Sequence, residues 1–185
     1  MKLYHSTYLY TILILILFSC KSESNVTVYK IKKNNPLHTQ KNNQKLSWNS
    51  PKNWIEKSPS DFSIASYDIP TSNGELINLS ITTFPGEAGG ITQNVNRWRK
   101  QINLESQNKE AILKSAKKES SMLGEYFIFD LHNNNKAIIA AIIPLSNNTD
   151  LVSETIFIKM NGSAYLLAEL KYEFELFCKS IHWIQ

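Results

Sequence analysis

The sequence predicts an α+β domain in which a largely antiparallel sheet is flanked by helices. Three observations carry this. Ile77, Leu79 and Ile81 alternate with Asn78, Ser80 and Thr82, the period-two pattern of a strand with one buried face. Extended segments follow one another across turn sequences, Thr71-Ser72-Asn73-Gly74 and Asn133-Asn134-Asn135, as in hairpins. Near the C-terminus, Leu170, Phe174, Phe177 and Ile181 recur at the spacing of a helix face.

The chain opens with Lys2 and an apolar run over residues 8–18. As a helix, 11 residues at about 1.5 Å each reach roughly 16 Å. A bilayer core needs about 30 Å, so this run is too short to span and matches the apolar core of a signal peptide. Leu17, Phe18, Ser19 and Cys20 follow in register, and they resemble the lipobox of bacterial lipoproteins. The resemblance implies a signal peptide over residues 1–19, cleavage before Cys20, and attachment of palmitate-type acyl chains to Cys20. One acyl chain binds a membrane only marginally, whereas two or three anchor it durably. Lys21 follows the cysteine in place of the Asp that commonly retains lipoproteins in the inner membrane. The expected address is therefore a lipid-anchored position in the cell envelope, at the outer membrane or the periplasmic face.

Residues 21–45 hold six lysines and one acid, Glu23, for a net charge of +5. They are rich in Asn, Gln and Ser and lack hydrophobic periodicity, the composition of a flexible tether. Residues 46–185 hold 13 basic and 15 acidic residues, a net of −2. They suffice for one core and are too few for two ordinary domains. Such a charge argues against nucleic acid as the partner.

Within this domain, Trp48, Pro51 and Trp54 form a turn-rich opening. Strands are expected over residues 62–69 and 75–84, helices over 91–102 and 106–117, and strands over 125–131 and 136–143. Thr155 to Met160 and Ser163 to Leu167 read as a hairpin about an Asn161-Gly162 turn, a strong short-range signal. The closing helix is expected over residues 168–181.

Two motifs extend this reading. The segment FPGEAGG at residues 84–90, followed after three residues by NVNRWR at 94–99, resembles the signature of a family of bacterial secreted proteins and lipoproteins. The Trp-Pro opening, the run Ile158-Lys159-Met160-Asn161-Gly162 and the run Phe177-Cys178-Lys179-Ser180-Ile181 are similar as well. The resemblance covers nearly all of residues 46–183. It implies the α/β/α sandwich of PsbP, the extrinsic photosystem II protein, and its non-photosynthetic relatives, and no particular function.

The candidate binding residues are Gly89, Gly90, Asn94, Arg97 and Arg99. A glycine-rich loop entering a helix can offer free N–H groups to an anion. Against this, the segment is neither Gly-x-Gly-x-x-Gly nor Gly-Lys-Ser/Thr. Ile91, Val95, Trp98 and Ile102 share one stripe, which puts Trp98 in the core. Arg97 and Arg99 diverge by about 200° and cannot clamp one small anion together. The favoured reading is a scaffold, in which the glycines permit a tight turn and Arg99 pairs with an acid of the sheet.

Asp130 and His132, two apart on a strand, share a side and form a candidate acid–base pair, although no positioned nucleophile is visible. His38 and His182 lie apart, so no zinc-binding spacing exists, and two cysteines cannot build a four-thiolate cage. No metal and no cofactor are expected. Cys178, left without a partner if Cys20 is acylated, reads as a buried small hydrophobe. Trp48, Trp54 and Trp183 either line an apolar pocket or cap the core. Together these readings describe a membrane-anchored binding or assembly domain with a possible envelope protein partner. The rivals are a periplasmic hydrolase and an envelope structural protein.

Overall fold

The structure is a computed structural model that describes residues 45–58, 63–146 and 151–184. The signal peptide, Cys20 and the tether up to residue 44 lie outside the described residues. The described residues fall within one compact unit, Lys41–Gln185.

Two long strands set the centre of the sheet. The run AIIAAII, residues 137–143, is apolar on both sides of the pleat and lies in β7 (Lys136–Ser146), where each of these residues is buried. A strand with such a sequence must be covered on both faces. It pairs antiparallel with β6 (Gly124–Asn133) across the Asn134-Asn135 turn, and with β8 (Val152–Ser163) on its other side. Outward from β8 come β4 (Leu76–Pro85), β3 (Ala65–Pro70) and β2 (Ile55–Lys57). Beyond β6 lies β5 (Lys117–Ser121). Among the described residues the sheet has seven strands in the order β2-β3-β4-β8-β7-β6-β5, antiparallel throughout. A small second sheet pairs β1 (Lys45–Ser47) with β9 (His182–Ile184), joining the two ends of the domain.

Each face buries its own core. On one, Leu79, Ile81, Ile139, Ala141, Ile156 and Ile158 meet Leu166, Leu170, Phe174 and Phe177 of α3 (Ala164–Lys179). On the other, Phe129, Ile138, Ile142 and Phe157 meet Val95, Trp98 and Ile102 along α1 (Gly90–Gln101) and Ile112 of α2 (Lys109–Ser115). The fold is thus α+β, an antiparallel sheet between helices, as the alternation and the helical stripes predict.

The expected Asn161-Gly162 hairpin is corrected. Both residues lie inside β8, with Asn161 opposite Ile138 and Gly162 opposite Ala137. Gly162 is there for space: a Cβ would come 2.5 Å from Ile77 Cδ1 and 2.9 Å from Leu167 Cδ1. Residues 164–167 then open α3, four residues earlier than expected, because the Ser163 hydroxyl accepts a hydrogen bond from the Leu166 N–H and caps the helix. The second helix is also shorter than expected. Asn108 caps it through the Ala111 N–H, and residues 117–121 leave it to form β5. His182 opens β9, beyond the end of α3. Among the described residues, no helix is long and apolar enough to cross a membrane.

Candidate functional site

The glycine-rich segment turns sharply before α1. Gly89 and Gly90 both have positive φ, 86° and 73°, a region that glycine enters without strain. Gly89 offers α1 no side-chain cap. Asn94, one turn into the helix and 3% exposed, holds the loop instead. Its Nδ2 donates to the carbonyls of Ala88 (2.9 Å) and Gly90 (2.7 Å). Its Oδ1 accepts from Arg97 Nη2. Asn94 lies outside the Ile91, Val95, Trp98, Ile102 stripe, and the preceding loop, folded back onto its side chain, buries it.

The remaining polar residues of the motif brace the following loop. Asn96 exchanges two hydrogen bonds of 2.9 Å with the backbone of Gln107. Arg99 Nε donates to the Glu105 carbonyl at 2.7 Å. The expected ion pair of Arg99 with an acid of the sheet is therefore corrected: the chain doubles back after α1 and presents a backbone carbonyl first. Trp98 is 3% exposed and packs edge-on against Phe157, centroids 6.1 Å apart.

Arg97, in contrast, is exposed and makes no ion pair among those of the described residues. The fold places a second cation near it that the sequence did not single out. Lys159 of β8 is half-buried on the α1 side of the sheet, with its Nζ 3.4 Å from Gln101 Oε1. Burial holds its ammonium below the ordinary lysine range, and the nearby Arg97 charge adds to this. Beside it, β4 presents Ser80 in direct register with Lys159.

Asp130 and His132 do meet, with His132 Nε2 3.0 Å from Asp130 Oδ1. That buried oxygen receives no well-aligned hydrogen bond. A third member comes from α3: Lys171 Nζ donates to Asp130 Oδ2 at 2.7 Å. Lys171 follows the core residue Leu170, and no local pattern links it to a strand 41 residues earlier. Cys178 is fully buried, and burial pushes its thiol well above the usual range, with Glu175 adding to the effect. Burial, then the charge of Cys178, raises the Tyr126 hydroxyl to about 12.

The tryptophans close one end of the core. Trp54 is buried against Phe177 (4.9 Å) and Tyr67 (5.6 Å). Trp48 tilts onto Phe177 while its Nε1 donates to the Tyr67 hydroxyl at 2.8 Å. Trp183 is 37% exposed on β9, opposite Leu46. A shallow depression of about 390 Å³ lies elsewhere, along α2 at Asn108, Lys109, Glu110 and Leu113, and includes none of these candidates.

No protein-family model and no curated protein matches the chain. Solved structures do. LpqN of Mycobacterium tuberculosis, described as involved in cell envelope biogenesis, is 8% identical, with a TM-score of 0.50 over 80% of this chain and 88% of that one. A Bacteroides thetaiotaomicron protein is 13% identical, with a TM-score of 0.42 over 76% of this chain. The chain spans about half the length (45%) of that protein. The cyanobacterial PsbP of Synechocystis is 14% identical, with a TM-score of 0.43 over 75% of this chain and 91% of that one. The likeness is one of fold.

Proposed function

We propose that this chain is a bacterial envelope lipoprotein, anchored through Cys20, whose domain over residues 46–185 binds or assembles with a partner and performs no catalysis. The observation that carries the proposal is the register of residues 8–18, Ser19 and Cys20, since a short apolar run ending in a lipobox-like tetrapeptide has a specific processing chemistry. The lysines of residues 21–45 fit this placement, each adding about 1 kcal/mol of attraction to an anionic membrane surface. An envelope role for LpqN, a protein of the same fold, is consistent with that address. The non-catalytic part draws on Asp130, whose Oδ2 is taken up by Lys171 at 2.7 Å.

The test is metabolic labelling with an alkyne analogue of palmitate. The native chain is expected to take up label and to fractionate with membranes. Cys20→Ala is expected to lose the label and to accumulate as uncleaved precursor. Undiminished labelling of Cys20→Ala overturns the anchoring.

A further inference from the structure

We propose that Arg97, Lys159 and Ser80 form an oxyanion-binding site, suited to a phosphate group, on the polar half of the sheet beside α1. The inference deepens the binding-domain reading and rests on it in one respect, that the domain has a ligand.

The argument starts from what the other residues of the motif do. Asn94 holds the loop, Asn96 and Arg99 brace the next one, and Trp98 fills the core. Arg97 gives the scaffold one hydrogen bond, to Oδ1 of the buried Asn94, and this aims its exposed guanidinium without supplying a carboxylate. Gln101 lies four residues on, along the same side of the helix. Its Oε1 meets Lys159 Nζ, so Arg97 and Lys159 stand on one flank of α1. Lys159 is half-buried, and its hydrogen-bond partner is a neutral amide oxygen. Neither cation has a carboxylate among the ion pairs of the described residues. The one acid in β3 and β4 is Asp68, which Lys57 (3.1 Å) and Asn78 already engage.

Two like charges, one of them partly desolvated, are costly to hold together without a counter-ion. Burial first, and the Arg97 charge second, hold the Lys159 ammonium below the ordinary lysine range, in keeping with that cost. An oxyanion removes it. Its oxygens can accept from the guanidinium fork, from the ammonium and from the hydroxyl of Ser80, which lies opposite Lys159 on the neighbouring strand. The wheel argument against a shared clamp applied to Arg97 with Arg99. The fold replaces Arg99 by a lysine from the sheet.

A phosphate group comes either free or within a lipid headgroup, and the experiment separates the two. The full chain carrying Cys20→Ser, in dodecyl maltoside, is titrated with inorganic phosphate, with monomeric dihexanoylphosphatidylglycerol, and with chloride at matched ionic strength. Amide shifts are followed by NMR. Saturable shifts centred on Ser80, Arg97, Gln101 and Lys159 are expected with phosphate or the phospholipid. The probe that binds tighter names the source. Arg97→Gln and Lys159→Gln should each weaken that binding about tenfold or more while leaving the remaining amide spectrum folded. On occupancy, the titration of the Lys159 side chain, read at Cε, should move to higher pH. Equal shifts with chloride, shifts that survive both substitutions, or no saturable binding by either phosphate probe would overturn the site. None of these outcomes alters the labelling of Cys20, so failure here is distinguishable from failure of the anchoring.

Discussion

Gly162 of β8 and Ile77 of the neighbouring β4 lie so close that a Cβ at position 162 would stand 2.5 Å from Ile77 Cδ1. The absent side chain lets α3 fold back over the sheet directly from Ser163. Gly162→Ala is therefore expected to destabilise the domain by about 1–3 kcal/mol through overpacking. Ile77→Val removes the clashing methyl, so the double variant should lose less than the sum of the two single changes. Urea denaturation measures all three. A Gly162→Ala protein within about 0.5 kcal/mol of native, the range of an ordinary surface change, would mean that this contact is loose.

Four substitutions along α1 rank its residues. Trp98→Ala empties a buried site against Phe157 and should cost about 3–5 kcal/mol. Asn94→Ala removes the side-chain hydrogen bonds to the Ala88 and Gly90 carbonyls and the acceptor of Arg97, and should cost about 1–3 kcal/mol. Arg99→Ala loses one hydrogen bond to Glu105 and the cover of its stem, about 1 kcal/mol. Arg97→Ala should cost about 0.5–1 kcal/mol, since it takes the guanidinium away from the Oδ1 of Asn94 but leaves an exposed flank where water can replace it. Urea melts give the order. Loss of stability in Arg97→Ala comparable to Asn94→Ala would make the arginine part of the scaffold.

What was legible in the sequence was what local periodicity encodes. The Ile77, Leu79, Ile81 alternation, the doubly apolar β7 run and the Val95, Trp98, Ile102 stripe each place residues on a face without reference to distant chain. The Asn161-Gly162 dipeptide misled because the same glycine serves a turn or a close approach, and the atoms that decide, on Ile77 and Leu167, lie elsewhere. The pairing of β1 with β9 joins three-residue segments from opposite ends of the domain, too short to carry a pattern. Lys159 shows the same limit for the site. On its strand it is an ordinary polar alternate, and it becomes a neighbour of Arg97 only through the packing of α1 on β8.

Stability should fall in alkali. Burial raises Cys178 well above its ordinary 9.0 and Tyr126 from 10.0 to about 12. Above the ordinary value, the unfolded chain releases the proton while the folded chain keeps it, so the unfolded state gains. The stability is intact below about pH 9 and is lost as pH rises towards the folded values, by at most about 1.4 kcal/mol per pH unit for each group. Lys159 works the other way, since its lowered value makes the folded chain release a proton first, and it offsets part of the loss. Unfolding free energies from urea melts at pH 8, 9 and 10 should decline, more shallowly in Cys178→Ala. The native thiol should resist Ellman's reagent until the chain unfolds. A flat profile together with rapid thiol reaction would place Cys178 at the surface.

The last prediction concerns which partner holds Asp130. Lys171 donates to Oδ2 at 2.7 Å, while His132 approaches Oδ1 at 3.0 Å without an aligned hydrogen bond. Alignment matters steeply for such a bond, so the lysine should own most of the interaction. Because the Lys171 side chain is 44% exposed, water screens the pair, and a double-mutant cycle between Asp130→Asn and Lys171→Met should return about 1 kcal/mol or less. The cycle between Asp130→Asn and His132→Ala should return still less. Raising the salt to 1 M should shrink the lysine coupling, since the Debye length then falls to about 3 Å. The order of the two couplings bears on function. An acid–base pair requires that Asp130 orient the imidazole, and an aspartate held chiefly by lysine is not arranged for that task. A lysine coupling near zero beside a clear histidine coupling would hand Asp130 to the imidazole and return the hydrolase reading to consideration.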